Sequence, residues 1–172
     1  MTKLLPKMAA TMWSAMLPAL LLTLAPPSAH ADNPFELVDS QPVSELWLNP
    51  GFYSYHYQRD KGLNDSNPGF GAEYRYSTVW SATAGRFYNS DREYSNYLGL
   101  YYQPVTLGPV RIGAALGGFN GYPKMRDGGW FLAAVPVLSF DYQRVGVNLS
   151  IVPSYKDRLY GAISIQLKLK AF

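Results

Sequence analysis

Only a few residues in this chain could carry chemistry. Cysteine is absent, which removes thiolate nucleophiles, thiolate metal sites and disulfides. One of the two histidines, His30, falls in a segment expected to be removed, which leaves His56. There is no Gly-x-Ser-x-Gly elbow, no His-Glu-x-x-His pair and no cluster with metal-ligand spacing. No cofactor and no metal are expected. What remains is His56, near the end of one extended run, and Ser90 in Phe87-Tyr88-Asn89-Ser90-Asp91, where another run enters a loop. A histidine beside a serine can perform acyl transfer, with imidazole as general base and hydroxyl as nucleophile or oxyanion support. Spacing alone also admits a plainer pair, a hydrogen-bonded rim histidine and a turn serine.

Both residues belong to a chain that reads as all-β from Phe52 onward. Runs rich in aromatic and β-branched residues are punctuated by Gly, Pro, Asn and Asp. Eight such runs cover 52–58, 69–76, 79–88, 95–103, 109–118, 130–140, 144–152 and 160–170. Most approach the ~9–11 residues of a tilted strand that crosses a bilayer. The connections alternate in length, with 59–68, 89–94, 119–129 and 153–159 on one rim and the shorter turns on the other. Sided loops of this kind fit an outer-membrane barrel, and an even strand number brings both ends to one rim. His56 and Ser90 both fall on the long-loop rim.

Side-chain parity points the same way. In the eighth run Ile163, Ile165, Leu167 and Leu169 alternate with Ser164, Gln166, Lys168 and Lys170. In the first, Tyr53, Tyr55 and Tyr57 oppose Phe52, Ser54 and His56. Successive side chains point to opposite faces. The expected fold is therefore an eight-stranded antiparallel up-and-down transmembrane β-barrel, apolar outside and polar inside. A soluble barrel is the alternative, with its polar face in bulk water. Inward Glu73, Arg75, Arg111, Lys168 and Lys170 would be costly unless they neutralise one another across the lumen.

Residues 1–31 read as a cleaved signal peptide. Lys3 and Lys7 form the basic n-region, Met8 to Leu24 is mostly apolar, and Ala29-His30-Ala31 is a small-x-small cleavage site. A membrane anchor would need ~20 apolar residues, and Pro18 interrupts this core. Removing two of the 15 Lys and Arg leaves 13 against 12 Asp and Glu. That even balance gives no footprint for nucleic acid. Residues 32–50 read as a lead-in, either a short amphipathic helix or a flexible linker. The barrel is expected over 51–172.

The sixth run, from Trp130, is apolar on both faces, so the lumen beside it should be greasy. Pro136 lies within it and Pro153 ends the next run. A proline cannot donate to a strand ladder. The two could open a lateral slot, or mark only a bulge and a loop start.

At this point the chain resembles the lipid A palmitoyltransferase (PagP) family over most of 52–172. Pro136-Val-Leu-Ser-Phe-Asp-Tyr-Gln-Arg-Val-Gly-Val-Asn-Leu-Ser-Ile-Val-Pro153 looks like the family's two-strand segment bounded by prolines. Phe87-Tyr88-Asn89-Ser90 is similar to its Phe-Lys-Asp-Ser, and Asp60-Lys61 also matches. The resemblance implies Ser90 as catalytic serine, Asn89 in place of the family's aspartate, and Pro136 and Pro153 flanking lateral lipid access. An ungapped match aligns Ser54 with the family's histidine; a slip of two residues keeps the face and brings in His56. An asparagine can orient a histidine but supplies no charge. The implied activity is transfer of a palmitoyl-type chain from a phospholipid to lipid A. Phospholipid and lipopolysaccharide would be the partners, and a monomer in the outer membrane the setting. The competing expectation is a non-catalytic small outer-membrane barrel, a lipid-binding or surface-interaction protein.

Overall fold

The computed structural model describes residues 33–172. The expected signal peptide, 1–31, lies outside the described residues. Nine strands follow in order: β1 (Phe35–Leu37), β2 (Pro42–His56), β3 (Ser66–Ser77), β4 (Trp80–Tyr88), β5 (Tyr94–Leu107), β6 (Val110–Phe119), β7 (Phe131–Tyr142), β8 (Val145–Val152) and β9 (Ala162–Lys170). From β2 to β9 each strand pairs antiparallel with its neighbours in sequence, and β9 pairs back onto β2. The result is a closed eight-stranded up-and-down barrel. Closure gives most backbone groups of the wall ladder partners. β1 is a short addition beside the lower end of β5, in the register Phe35↔Leu107. Seven of the expected runs match β3 to β9 within a few residues at each end. The turns at 78–79, 108–109 and 143–144 define a lower rim, and the longer loops an upper one.

The lead-in departs from expectation. The described residues contain no α-helix, and 42–50 is strand rather than amphipathic helix. The wall begins at Pro42, not near Phe52. A bulge hides this continuity. Register slips between Asn49 and Gly51 against β3, and between Leu48 and Tyr53 against β9. Gly51 has φ +103°, and a Cβ there would lie 2.2 Å from the Asn67 carbonyl oxygen. Below the bulge Trp47 and Asn49 are buried; above it the buried residues are Ser54 and His56. One extra residue switches the inward parity from odd to even. Alternation is clean on either side and lost across the join.

Elsewhere many inward side chains are polar and the outward ones are mostly apolar. In β9 the exposed residues are Ile163, Ile165, Leu167 and Leu169, while Ser164, Gln166 and Lys168 are buried. The exterior carries a broad apolar and tyrosine-rich surface, including Phe70, Tyr74, Leu98 and Leu132.

The inward charges do neutralise one another, with two carboxylates in addition to Glu73. Asp141 accepts from Arg75 at 2.6 Å and Arg111 at 2.7 Å, and lies 3.3 Å from Lys168. Glu73 accepts from Lys168 at 2.9 Å. Glu45 accepts from Arg75 at 2.7 Å and Lys170 at 2.6 Å. The ring of Trp47 lies beneath Arg75, Lys168 and Lys170 at 5.5, 4.8 and 5.1 Å. Burying ions costs several kcal/mol each unless they are well paired. Here each inward ion has a partner, and the network fills the lower lumen.

Candidate functional site

The upper lumen differs in kind. Inward positions hold small residues at Gly99, Ala115, Gly117 and Ala133, so side chains do not fill the space. An eight-stranded barrel is ordinarily just filled by its own side chains. Here a cavity of about 150 Å³ remains, the volume of roughly five waters at liquid density. Phe52, Phe87, Tyr97, Phe119 and Phe131 contribute its aromatic walls. Tyr97 lies along the inner wall over Gly85, its partner on β4, and over Gly71, which pairs with Gly85. A Cβ on either glycine would collide with its hydroxyl, at 2.0 and 2.6 Å. Below the cavity lies the ionic network; above it is the long-loop rim.

At that rim His56 ends β2 and is 3% exposed. The loop over 57–65 turns back so that the Asp65 carbonyl accepts the Ser54 N–H at 2.8 Å. This places the Asp65 carboxylate 2.8 Å from His56 Nδ1. A carboxylate only accepts, so Nδ1 carries the hydrogen and Nε2 presents its lone pair. Ser90 Oγ lies 2.8 Å from that Nε2. Arg59 donates to the second oxygen of Asp65 at 2.8 Å. The hydrogen bond from His56 holds the Asp65 carboxyl below its ordinary range, against partial burial, and Arg59 adds to it. Serine, histidine and aspartate thus form one hydrogen-bonded relay at the cavity mouth.

The structure brings His56 and Ser90 together as expected, but not Asn89 with His56. Asn89 is fully buried. Its amide donates to Ser95 Oγ at 2.9 Å and to the Gly121 carbonyl at 2.8 Å. Its oxygen accepts the N–H of Asp91 at 2.9 Å and of Glu93 at 3.0 Å. The role expected for Asn89 is therefore corrected: it orders the turn, and Asp65 orients the histidine. An asparagine suits this because the turn needs two donors and an acceptor, which a carboxylate cannot supply. Asn64 couples the turn to the β2–β3 loop, its N–H reaching the Ser90 carbonyl at 2.9 Å and its amide the Asn89 carbonyl at 3.2 Å. Sequence reading missed Asp65. The available signal was an acidic residue just before the strand that returns antiparallel to the histidine strand.

Pro136 and Pro153 border a break in the wall. The β7–β8 ladder runs from Tyr142↔Val145 up to Val137↔Ser150 and stops. Above it Phe131 to Pro136 pair only with β6, and Ile151 and Val152 only with β9. Pro153 follows at once. Val135, Val152 and Pro153 also line the cavity, so the break and the cavity adjoin. Strand rise puts Phe131 and Val135 roughly 13 Å apart along β7, a measure of cavity depth. No protein-family model matches this chain, and a search of curated proteins finds no match.

Proposed function

We propose that this chain is an outer-membrane acyltransferase that moves a palmitoyl-type chain from a phospholipid to lipid A. One observation carries the reading: the Ser90–His56–Asp65 relay lies at the mouth of an apolar cavity that adjoins a break in the barrel wall. The apolar exterior and the PagP-like proline segment support the membrane setting and the lipid substrates.

The chemistry runs in two halves. An acyl chain enters the cavity through the β7–β8 break, which brings its ester to Ser90. His56 Nε2 takes the Ser90 proton as Oγ attacks the ester carbonyl. Asp65 stabilises the imidazolium that forms and holds its tautomer. The carbonyl–oxygen bond breaks, and the lysophospholipid leaves with the proton from His56. A hydroxyl of lipid A then gives its proton to His56 and attacks the acyl-serine. Ser90 departs and recovers the proton. Atoms and charges balance without a cofactor.

Mass spectrometry of lipid A tests this directly. Expression should add one acyl chain, and Ser90→Ala and His56→Ala should each abolish the addition. Unchanged lipid A under all growth conditions, with the wild-type protein present in the outer membrane, would refute the proposal and favour the non-catalytic barrel.

A further inference from the structure

Two charged side chains at the cavity mouth take no part in the relay. Asp91 follows Ser90 in the β4–β5 turn, and Arg158 comes from the β8–β9 loop, next to the wall break; both line the cavity. Their backbones are anchored: the Asp91 N–H reaches Asn89 Oδ1 at 2.9 Å, and the Arg158 N–H reaches the Tyr155 carbonyl at 3.1 Å. Among the described residues neither side chain makes a hydrogen bond or an ion pair, with each other or with anything else. Lys124, a neighbouring cation, is engaged elsewhere: its Nζ donates to the Tyr160 hydroxyl at 3.3 Å and lies 5.2 Å from that ring centre. Burial raises the Asp91 carboxyl above its ordinary value, although Lys124 and His56 pull it down. A half-buried carboxylate beside a nucleophile, with cations nearby but none bonded to it, can take one from the ligand.

We infer that Asp91 and Arg158 together hold the head group of a zwitterionic phospholipid, the carboxylate taking the ammonium and the guanidinium the phosphate. This rests on the acyl-donor reading above and names the donor class. The arrangement follows the lipid's own order. The acyl chain lies in the cavity, the ester at Ser90, and the head group between two loops at the mouth. Arg158 stands on the side where lipid would enter, where a planar guanidinium can fork onto phosphate oxygens. An anionic head group without an ammonium could still give its phosphate to Arg158, but it would leave the Asp91 carboxylate without a cation of the ligand.

The test separates binding from turnover. Ser90→Ala protein in non-ionic detergent micelles is titrated calorimetrically with lysophosphatidylcholine and with lysophosphatidylglycerol of the same acyl chain. The choline lipid should bind about tenfold more tightly, because its trimethylammonium, which has no N–H to donate, still pairs its charge with the Asp91 carboxylate. Asp91→Asn, nearly isosteric, should bring the ratio close to one. Arg158→Gln should weaken both lipids by a similar factor. A ratio within twofold in the parent protein, or one that survives Asp91→Asn, overturns the inference. The protein with Ser90 intact is then given the two diacyl phospholipids. Equal transfer from both sinks the head-group assignment and leaves the acyltransferase standing. No transfer from either, with selective binding retained, sinks the acyltransferase and leaves the head-group site.

Discussion

Replacing Asp65 by asparagine separates a working relay from a fortuitous cluster. The change preserves shape but inverts the hydrogen bond. Either the new amide donates to His56 Nδ1, which forces the imidazole hydrogen onto Nε2, or its oxygen accepts and the charge is lost. In the first case Nε2 cannot take the Ser90 proton. In the second the imidazolium loses its counter-ion. The 2.8 Å contact places the two charge centres ~4 Å apart, and at an effective dielectric of about 20 that attraction is worth about 4 kcal/mol. This corresponds to roughly 10³ in rate. Asp65 is 19% exposed, and solvent at the rim trims the figure, so a loss of about 10²–10³ in kcat is expected. The assay is transfer of a labelled acyl chain from phospholipid to lipid A in detergent micelles, with circular dichroism as a check on the barrel. The depressed Asp65 carboxyl adds a second readout. Its contribution to stability is present above about pH 4 and is lost as pH falls through its lower folded value. The gap in melting temperature between wild type and Asp65→Asn should therefore close below about pH 4. An Asp65→Asn protein within tenfold of wild type, beside an inactive Ser90→Ala, would show that the aspartate is ornamental.

Three further outcomes follow from the cavity and the wall. Ala133→Leu places a larger side chain on the cavity lining; it should shift the transferred chain toward shorter lengths, read by mass spectrometry, at a stability cost of about 1–3 kcal/mol. Continuing the Val137↔Ser150 register sets Pro136 opposite Ile151 across the break. Cysteines at those two positions, in a chain with no others, should form a disulfide that stops transfer until reductant is added. Glu73→Gln strips the nearly inaccessible Lys168 of its closest carboxylate; it should destabilise the barrel by about 3–5 kcal/mol, measured by urea unfolding, with little change in kcat for the folded protein.

Much of the fold was legible because strand parity is a local signal. The alternation in β8 and β9 and the sided loop lengths together imply closure. The inward ions were legible too, since Glu73, Arg75, Arg111 and Lys168 share the lumen parity. Glu45 and Asp141 were not singled out. Glu45 lay in the stretch read as a helix or a linker, and Asp141 lay just past a run whose two faces look alike. The helix reading failed at Pro50-Gly51, where one extra residue breaks the periodicity on which such readings depend. Ser90 and His56 could be paired because each ends a strand on the same rim. Asp65 could not, because its place depends on how a nine-residue separation folds back. Asn89 shows the converse: its residue type suggested a catalytic neighbour, and its four hydrogen bonds belong to a turn.

The packed ions below Tyr97, with the Trp47 ring against them, make the molecule a blind well rather than a tube. Water or solute that enters from the top finds no exit at the base. Under the proposed function, a barrel built this way admits a hydrocarbon tail through one side without opening a pore along its axis.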